Sequence, residues 1–68
     1  MSRLFTVDEN HEISCYTENT RNGFRHIGIL FENGIEIART KINYLNRTWE
    51  RYEYETIVEK LKEYLTKQ

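Results

Sequence analysis

Residues 22–34, NGFRHIGILFENG, decide the fold of this chain, because two Asn-Gly steps enclose a run rich in strand-forming residues. Asn and Gly tolerate the positive φ angles that tight hairpin turns need, so Asn-Gly between apolar runs is the strongest short-range signal of a β-hairpin. Asn22-Gly23 and Asn33-Gly34 therefore predict two successive turns and three consecutive antiparallel strands. The middle strand runs from Phe24 to Phe31.

The flanking sequence adds two further strands and one helix. Leu4–Val7 is a short strand, Glu12–Thr20 is the second and Ile35–Tyr44 is the fourth. After Thr48, a plausible N-cap, apolar residues recur at three- and four-residue spacing, which is typical of an amphipathic helix. The stripe comprises Tyr54, Ile57, Val58, Leu61, Tyr64 and Leu65.

These elements predict a single α+β domain over residues 1–68. Its sheet, about residues 3–44, is a four-stranded antiparallel meander, and one C-terminal helix, about residues 48–67, packs on one face of the sheet (ββββα). A chain of 68 residues has little stability to spare, so dimerisation is an expected remedy.

The bulk composition excludes several classes of protein. Ten basic and eleven acidic residues give a net charge of −1, without the basic excess of most nucleic-acid-binding proteins. The lone Cys15 cannot form an internal disulfide, and no apolar run reaches about 18 residues. We therefore expect a cytoplasmic protein with no contact to a membrane.

The turns also predict which residues lie opposite one another. A two-residue turn at Asn33-Gly34 pairs residue 32 with residue 35 and places Ile29 opposite Ala38. At the other turn, two residues would set Glu18 beside Ile27, whereas a three-residue turn over 21–23, with Gly23 left-handed, sets Thr17 beside Ile27. The apolar match favours the three-residue turn, because a one-residue slip moves every side chain to the other face.

One predicted face of the sheet receives the helix and the other stays uncovered. In the first hairpin, Phe5 is expected beside Cys15 and Val7 beside Ile13. The predicted helix-bearing face carries Phe5, Val7, Ile13, Cys15, Thr17, Ile27, Ile29, Phe31, Ala38 and Ile42. The predicted uncovered face carries Leu4, Thr6, Ser14, Tyr16, Glu18, Phe24, His26, Gly28, Leu30, Ile35, Ile37, Arg39 and Lys41. A bulge near Arg39 remains an alternative that would re-aim the end of the fourth strand.

The apolar half of the uncovered face is the predicted interface. Exposed apolar clusters on small soluble domains usually mark a contact surface. We expect a binding protein without catalytic activity that forms a homodimer or binds a protein partner. The interface comprises Leu4, Tyr16, Leu30, Ile35 and Ile37, with Glu18, Arg39 and Lys41 at its rim.

Single-stranded nucleic acid is the alternative ligand, because sheet aromatics can stack on bases while interleaved cations hold phosphates. The candidate residues are Tyr16, Phe24, Arg25, Arg39, Lys41, Arg47 and Arg51. The order of four strands and one helix is similar to that of dimeric single-stranded-DNA-binding domains of the transcriptional-coactivator type. This resemblance is one of topology.

Other chemistry is not signalled by the residue pattern. The spacing of His11, Cys15 and His26 matches no zinc motif, and His26 is expected on the face opposite Cys15. The predicted register places Cys15 in the core, with no histidine on its face to act as a base. We therefore predict no catalytic residues, no metal, no cofactor and no small-molecule substrate.

The densest unusual segment is Asn46–Tyr54, NRTWERYEY, in which Trp, Tyr and Arg are the residue types enriched at binding hot spots. This segment resembles the strand-to-helix junction of small uncharacterised bacteriophage and prophage proteins. The resemblance implies a phage or mobile-element source and no defined activity.

Overall fold

The computed structural model describes residues 2–45 and 54–67. Four strands form one antiparallel sheet in the order β1 (Ser2–Thr6), β2 (His11–Asn19), β3 (Gly23–Glu32) and β4 (Ile35–Leu45). One helix, α1 (Glu55–Thr66), packs across β3 and β4. The predicted ββββα meander is therefore confirmed.

The turn between β3 and β4 follows the prediction. Asn33 and Gly34 have φ angles of 50° and 83°, as a two-residue turn of type I′ requires, and Glu32 pairs with Ile35.

The turn between β2 and β3 differs from the prediction by one residue. Asn19 pairs with Phe24, and the Thr20 amide donates to the Gly23 carbonyl over 3.0 Å, which leaves Arg21 and Asn22 at the tip. Within the described ranges, positive φ angles occur at Asn33 and Gly34, so the predicted left-handed Gly23 is wrong.

The shorter turn reverses the two faces of β3. Cys15 pairs with Gly28 rather than Ile29, and Ile13 pairs with Leu30 rather than Phe31. The even-numbered residues of β3 consequently lie on the side that bears α1. Their burial favours this register: Phe24, His26 and Leu30 are all at most 2% exposed.

Gly28 explains why the even face of β3 accepts the helix. A Cβ atom at this position would stand 3.0 Å from Leu61 Cδ1 and 3.1 Å from Ile57 Cγ1. Glycine in a strand interior often marks such a close approach. The missing side chain therefore lets α1 lie directly on the sheet.

A β-bulge in β4 restores part of the predicted pattern. Phe31 pairs with Glu36, whereas Leu30 pairs with Ala38, so Ile37 is an extra residue on β4. Ile37 and Ala38 both pack against the core on the helix side. Beyond the bulge Ile29 pairs with Arg39, whereas the prediction placed Ile29 opposite Ala38.

The first hairpin keeps its predicted faces but slides by two residues. Phe5 pairs with Ile13 and Arg3 with Cys15, in place of the predicted partners Cys15 for Phe5 and Ile13 for Val7. A shift of two residues preserves the side of the sheet. Phe5 and Val7 pack against the core as expected.

The core lies between the sheet and α1. Its buried members are Ile13, Cys15, Leu30, Tyr54, Ile57, Val58 and Leu61. Tyr64, which was predicted in the helix stripe, is 40% exposed. The helix begins at Glu55, with Tyr54 as its N-cap residue. The predicted cap Thr48 and the predicted helical residues 48–53 lie outside the described ranges.

A polar network is buried within the aromatic part of this core. His26 is 1% exposed, and its Nδ1 forms a hydrogen bond of 2.9 Å with Thr17 Oγ1. The same Thr17 oxygen lies 2.9 Å from the Tyr54 hydroxyl. The His26 and Tyr54 rings lie 4.6 Å apart. His26 therefore belongs to the core and not, as predicted, to the uncovered face.

Candidate interaction face

The side of the sheet opposite α1 is called the open face here. Residues that pair directly across an antiparallel sheet point to the same side, so the register defines three rows. The rows are Ser2–Tyr16–Ile27–Lys41, Leu4–Ser14–Ile29–Arg39 and Thr6–Glu12–Phe31–Glu36. Glu18, Arg25 and Asn43 continue the face beyond the first of these rows.

Apolar side chains run along the middle of the open face. Ile27 is 6% exposed, although it lies on the side away from α1, while Ile29 and Phe31 are half-buried. Leu4 on the outer strand β1 is 63% exposed. Ile29, Phe31 and Leu4 thus leave accessible hydrophobic surface on the side of the sheet away from α1, and the buried Ile27 continues this strip at one end.

A groove lies at one end of this strip. It has a volume of about 350 Å³ and its floor is Ile27. Its other lining residues are Tyr16, Glu18, Arg25, Arg39, Thr40 and Lys41. Three cationic side chains and one carboxylate therefore surround an apolar floor, which gives this end of the open face a positive character.

The cations of the groove differ in how they are paired. Arg25 Nε lies 3.5 Å from Glu18 Oε2, is buried, and makes no hydrogen bond within the described residues. Arg39 binds Glu36 through two nitrogens, at 2.8 and 3.2 Å. Lys41 has no ion-pair partner in residues 2–45 and 54–67.

The opposite end of the open face is acidic. Glu12 and Glu36 lie there on either side of Phe31. The hydrogen bond from Arg39 lowers the pKa of Glu36 and raises the pKa of Arg39 above its ordinary value. Glu36 therefore stays ionised to a lower pH than an ordinary glutamate. The carboxylates at this end contrast with Lys41 and the Arg25–Glu18 ion pair at the other end of the open face.

The predicted nucleic-acid residues are partly brought together. Tyr16, Arg25, Arg39 and Lys41 all line the groove. Phe24 does not, because it is 2% exposed on the helix side and stacks on Tyr44 with ring centres 5.1 Å apart. The remaining two, Arg47 and Arg51, lie outside the described residues.

The predicted apolar interface is divided between the two sides of the sheet. Leu4 and Tyr16 lie on the open face. Leu30 is fully buried in the core, and the half-buried Ile37 packs against the core on the helix side, so neither belongs to the open face. Ile35 is 69% exposed, but its pairing with Glu32 places it on the helix side at the hairpin tip.

Ile27, Ile29 and Phe31 belong to the open face, although the predicted register placed them on the helix-bearing face. The signal that would have placed them correctly is Gly28. An isolated glycine between branched residues marks the side of a strand that another backbone or helix approaches, so its odd-numbered neighbours face away from the helix.

A second polar cluster joins two turns at the acidic end of the sheet. His11 Nδ1 lies 2.8 Å from Asp8 Oδ1, and its Nε2 lies 2.9 Å from Glu32 Oε1. The Asn33 amide also donates to the Asn10 carbonyl over 2.8 Å. The hydrogen bond with Asp8 is the main cause of a raised pKa at His11 and of a lowered pKa at Asp8.

Cys15 lies in an environment that is typical of a core residue. It is fully buried, as predicted, and burial raises the pKa of its thiol to about 11. Contrary to the prediction, a histidine does share its side of the sheet, since His26 lies on the helix side as well. Among the described residues, no group of three or more His, Cys, Asp or Glu side chains is arranged to hold a metal ion.

Comparison of the chain with protein-family models, with curated proteins and with solved structures finds no match. Within the described ranges, no helix has the length and apolar character needed to cross a membrane.

Proposed function

We propose that this chain is a small non-enzymatic binding protein that contacts a protein partner through the open face of its sheet. The observation that carries the proposal is the accessible apolar surface of the open face, where Leu4 is 63% exposed in the same row as the half-buried Ile29, and Phe31 is half-buried in the next row. Apolar patches rimmed by polar groups are typical of protein–protein contact sites.

The chemistry of the rim supports a protein partner. Interfaces of this kind have an apolar centre and charged groups at the edge, where ions stay partly hydrated. Here Glu12 and Glu36 lie at one end, and Arg25 and Lys41 at the other. Aromatic and Arg side chains are enriched at binding hot spots, and Tyr16 and Arg25 supply both beside the strip.

The proposal also covers location and source. A buried free thiol at Cys15 suits a reducing compartment, which supports a cytoplasmic protein. The resemblance of residues 46–54 to bacteriophage and prophage proteins supports a phage or mobile-element origin.

Site-specific photo-crosslinking in the cells that express the chain tests the proposal. A photoreactive benzoylphenylalanine replaces Leu4 on the open face or, as the matched control, Tyr64, which is exposed on α1. We expect a discrete protein adduct from position 4 and none from position 64. Absence of an adduct from position 4, or equal adducts from both positions, would overturn the proposal.

Single-stranded nucleic acid is a second candidate ligand, favoured by one observation. Arg25 and Lys41, of which Lys41 has no ion-pair partner among the described residues, lie in the same groove as Tyr16. A phosphate group can pair with the Lys41 ammonium, and a base can stack on a tyrosine ring.

Oligonucleotide binding at low salt tests this second candidate. Binding should weaken steeply as salt rises and should be lost in the double variant Arg39→Ala, Lys41→Ala, because both cations line the groove. The exposed helix variant Lys60→Ala is the control and should bind as the parent does. No binding at low salt excludes nucleic acid.

A further inference from the structure

The charges of the open face are distributed so that the face complements a copy of itself. Glu12 and Glu36 lie in the row at one end, and Lys41 lies at the other, next to the ion pair of Arg25 and Glu18. The apolar strip formed by Ile27, Ile29 and Phe31 connects the two ends along β3. A surface with opposite charges at its two ends can pair with a second such surface that is turned end for end.

Two simple two-fold arrangements would stack this face on a second copy. An axis parallel to the strands would place the basic end over the basic end, which like charges disfavour. An axis across the strands would place the basic end of each copy over the acidic end of the other. Every contact away from the axis occurs twice in such an arrangement, because a two-fold interface uses the same patch on both chains.

We propose that a second copy of this chain covers the open face, with the two sheets related by a two-fold axis that runs across the strands near Ile29. This inference rests on the proposed function and names its partner. The two sheets form a sandwich about 10 Å thick, the ordinary spacing of facing sheets. The exposed Leu4 is buried against Leu4 of the second copy.

The row order fixes the contacts in this sandwich. With the Leu4–Ser14–Ile29–Arg39 row on the axis, the row of Ile27 and Lys41 lies over the row of Phe31 and Glu36. Phe31 of one copy then lies over the groove at Ile27 of the other, and Lys41 meets Glu36. Arg39 approaches its own copy, but the Glu36 carboxylate 2.8 Å away neutralises it.

The net charge of the chain permits this association. One chain carries a net charge of −1, so two copies repel each other only weakly. The electrostatic attraction between the two copies is therefore local, and it comes from the pairing of Lys41 in each copy with Glu36 in the other.

A charge exchange between these two positions tests the inference. Sedimentation equilibrium is measured for the full chain and for the variants Lys41→Glu, Glu36→Lys and their double variant. We expect the parent chain to have twice the mass of one chain and each single variant to dissociate roughly tenfold more easily, which corresponds to about 1.4 kcal/mol. The double variant should associate more tightly than either single variant, because opposite charges again face each other at positions 36 and 41, but less tightly than the parent, because Arg39 loses its Glu36 partner.

A matched control separates this effect from a general change of charge. Lys60→Glu alters the net charge as Lys41→Glu does, but it lies on the exposed side of α1 and should leave the dimer unchanged. Circular dichroism of each variant verifies that it is folded. A variant that fails to fold is replaced by the neutral Lys41→Gln, which should weaken the dimer in the same direction.

Three outcomes would overturn the inference: a monomeric parent chain at high concentration, a dimer that ignores the charge at position 41, or a double variant no better than the single ones. A heterologous protein or a nucleic acid crosslinked from position 4 would also overturn it. A heterologous protein adduct would leave the proposed function intact, whereas loss of every adduct from position 4 would overturn the proposed function itself.

Discussion

Gly28 lies directly beneath Leu61, and a Cβ atom at Gly28 would stand 3.0 Å from Leu61 Cδ1. This contact determines how closely α1 approaches the sheet. It also fixes which side of β3 belongs to the core, and therefore which side chains remain on the open face.

Gly28→Val should destabilise the fold. The added methyl groups would press on Ile57 and Leu61, and overpacking of this kind costs about 1–3 kcal/mol. The free energy of unfolding in urea measures the effect. Ser14→Val, a β-branched substitution on the open face of the neighbouring strand, is the control and should change stability little. Equal stability of the two variants would contradict the close approach of α1.

Thr17→Val should also lower the free energy of unfolding. The Thr17 hydroxyl lies within 2.9 Å of both His26 Nδ1 and the Tyr54 hydroxyl, so valine removes hydrogen bonds inside the core. Loss of a buried hydrogen-bond partner costs about 1–3 kcal/mol. Thr6→Val, the same substitution at an exposed position of β1, should cost much less. Similar losses in both variants would show that the network contributes nothing specific.

The cluster around His11 should make stability depend on pH. The charged groups that face His11 are Asp8 in the first turn and Glu32 at the end of β3. The folded-state pKa of His11 is raised, so its stabilising effect is complete below the unfolded pKa of about 6.5. That effect is lost as pH rises through the folded pKa.

Asp8 makes stability depend on pH at the acidic end of the range, because its folded-state pKa is lowered. Its stabilising effect is present above the unfolded pKa and is lost as pH falls through the folded pKa.

The contribution of His11 is tested by the variant His11→Gln. Because that contribution is lost as pH rises, the difference in unfolding free energy between the parent chain and His11→Gln should shrink from about pH 5.5 to about pH 8.5. Urea unfolding at both pH values measures it. A difference independent of pH would rule out this ion cluster.

The local signals of the sequence predicted the fold, because they depend on few residues. Asn33-Gly34 specifies a type I′ turn through the φ angles of its own two residues, and the register of the adjacent pair follows. Cys15 was placed in the core correctly because a shift of β1 by two residues leaves every side chain on its face.

The faces of β3 could not be read from local signals with the same success. The apolar residues of β3 occupy both sides, since Ile27 and Leu30 are both buried. The choice between the sides depends on the contact of Gly28 with a helix that begins more than twenty residues later. A turn shorter by one residue than predicted then reverses the strand.

Arg39 and Lys41 lie on the predicted face because two errors in the predicted register cancel. The turn at Arg21-Asn22 reverses β3 relative to the prediction, and the extra residue Ile37 in β4 reverses the strand again beyond the bulge. Ile35 and Ile37 precede or form the bulge, so only the first shift acts on them. This is why the predicted basic residues share the open face while the predicted isoleucines do not.

Leu4 and Ile35 provide a matched pair for testing whether the open face is the contact surface. They are 63% and 69% exposed, and they lie on opposite sides of the sheet. A soluble paramagnetic agent broadens the methyl NMR signals of side chains that it can approach. The measurement follows the methyl signals of both residues as the chain is concentrated from dilute solution.

We predict that the Leu4 methyl signals become protected from the agent as concentration rises, while those of Ile35 stay broadened throughout. Leu4→Glu should abolish association, and Ile35→Glu should not. Equal broadening of Leu4 and Ile35 at every concentration, or protection of Ile35 instead of Leu4, would contradict the account.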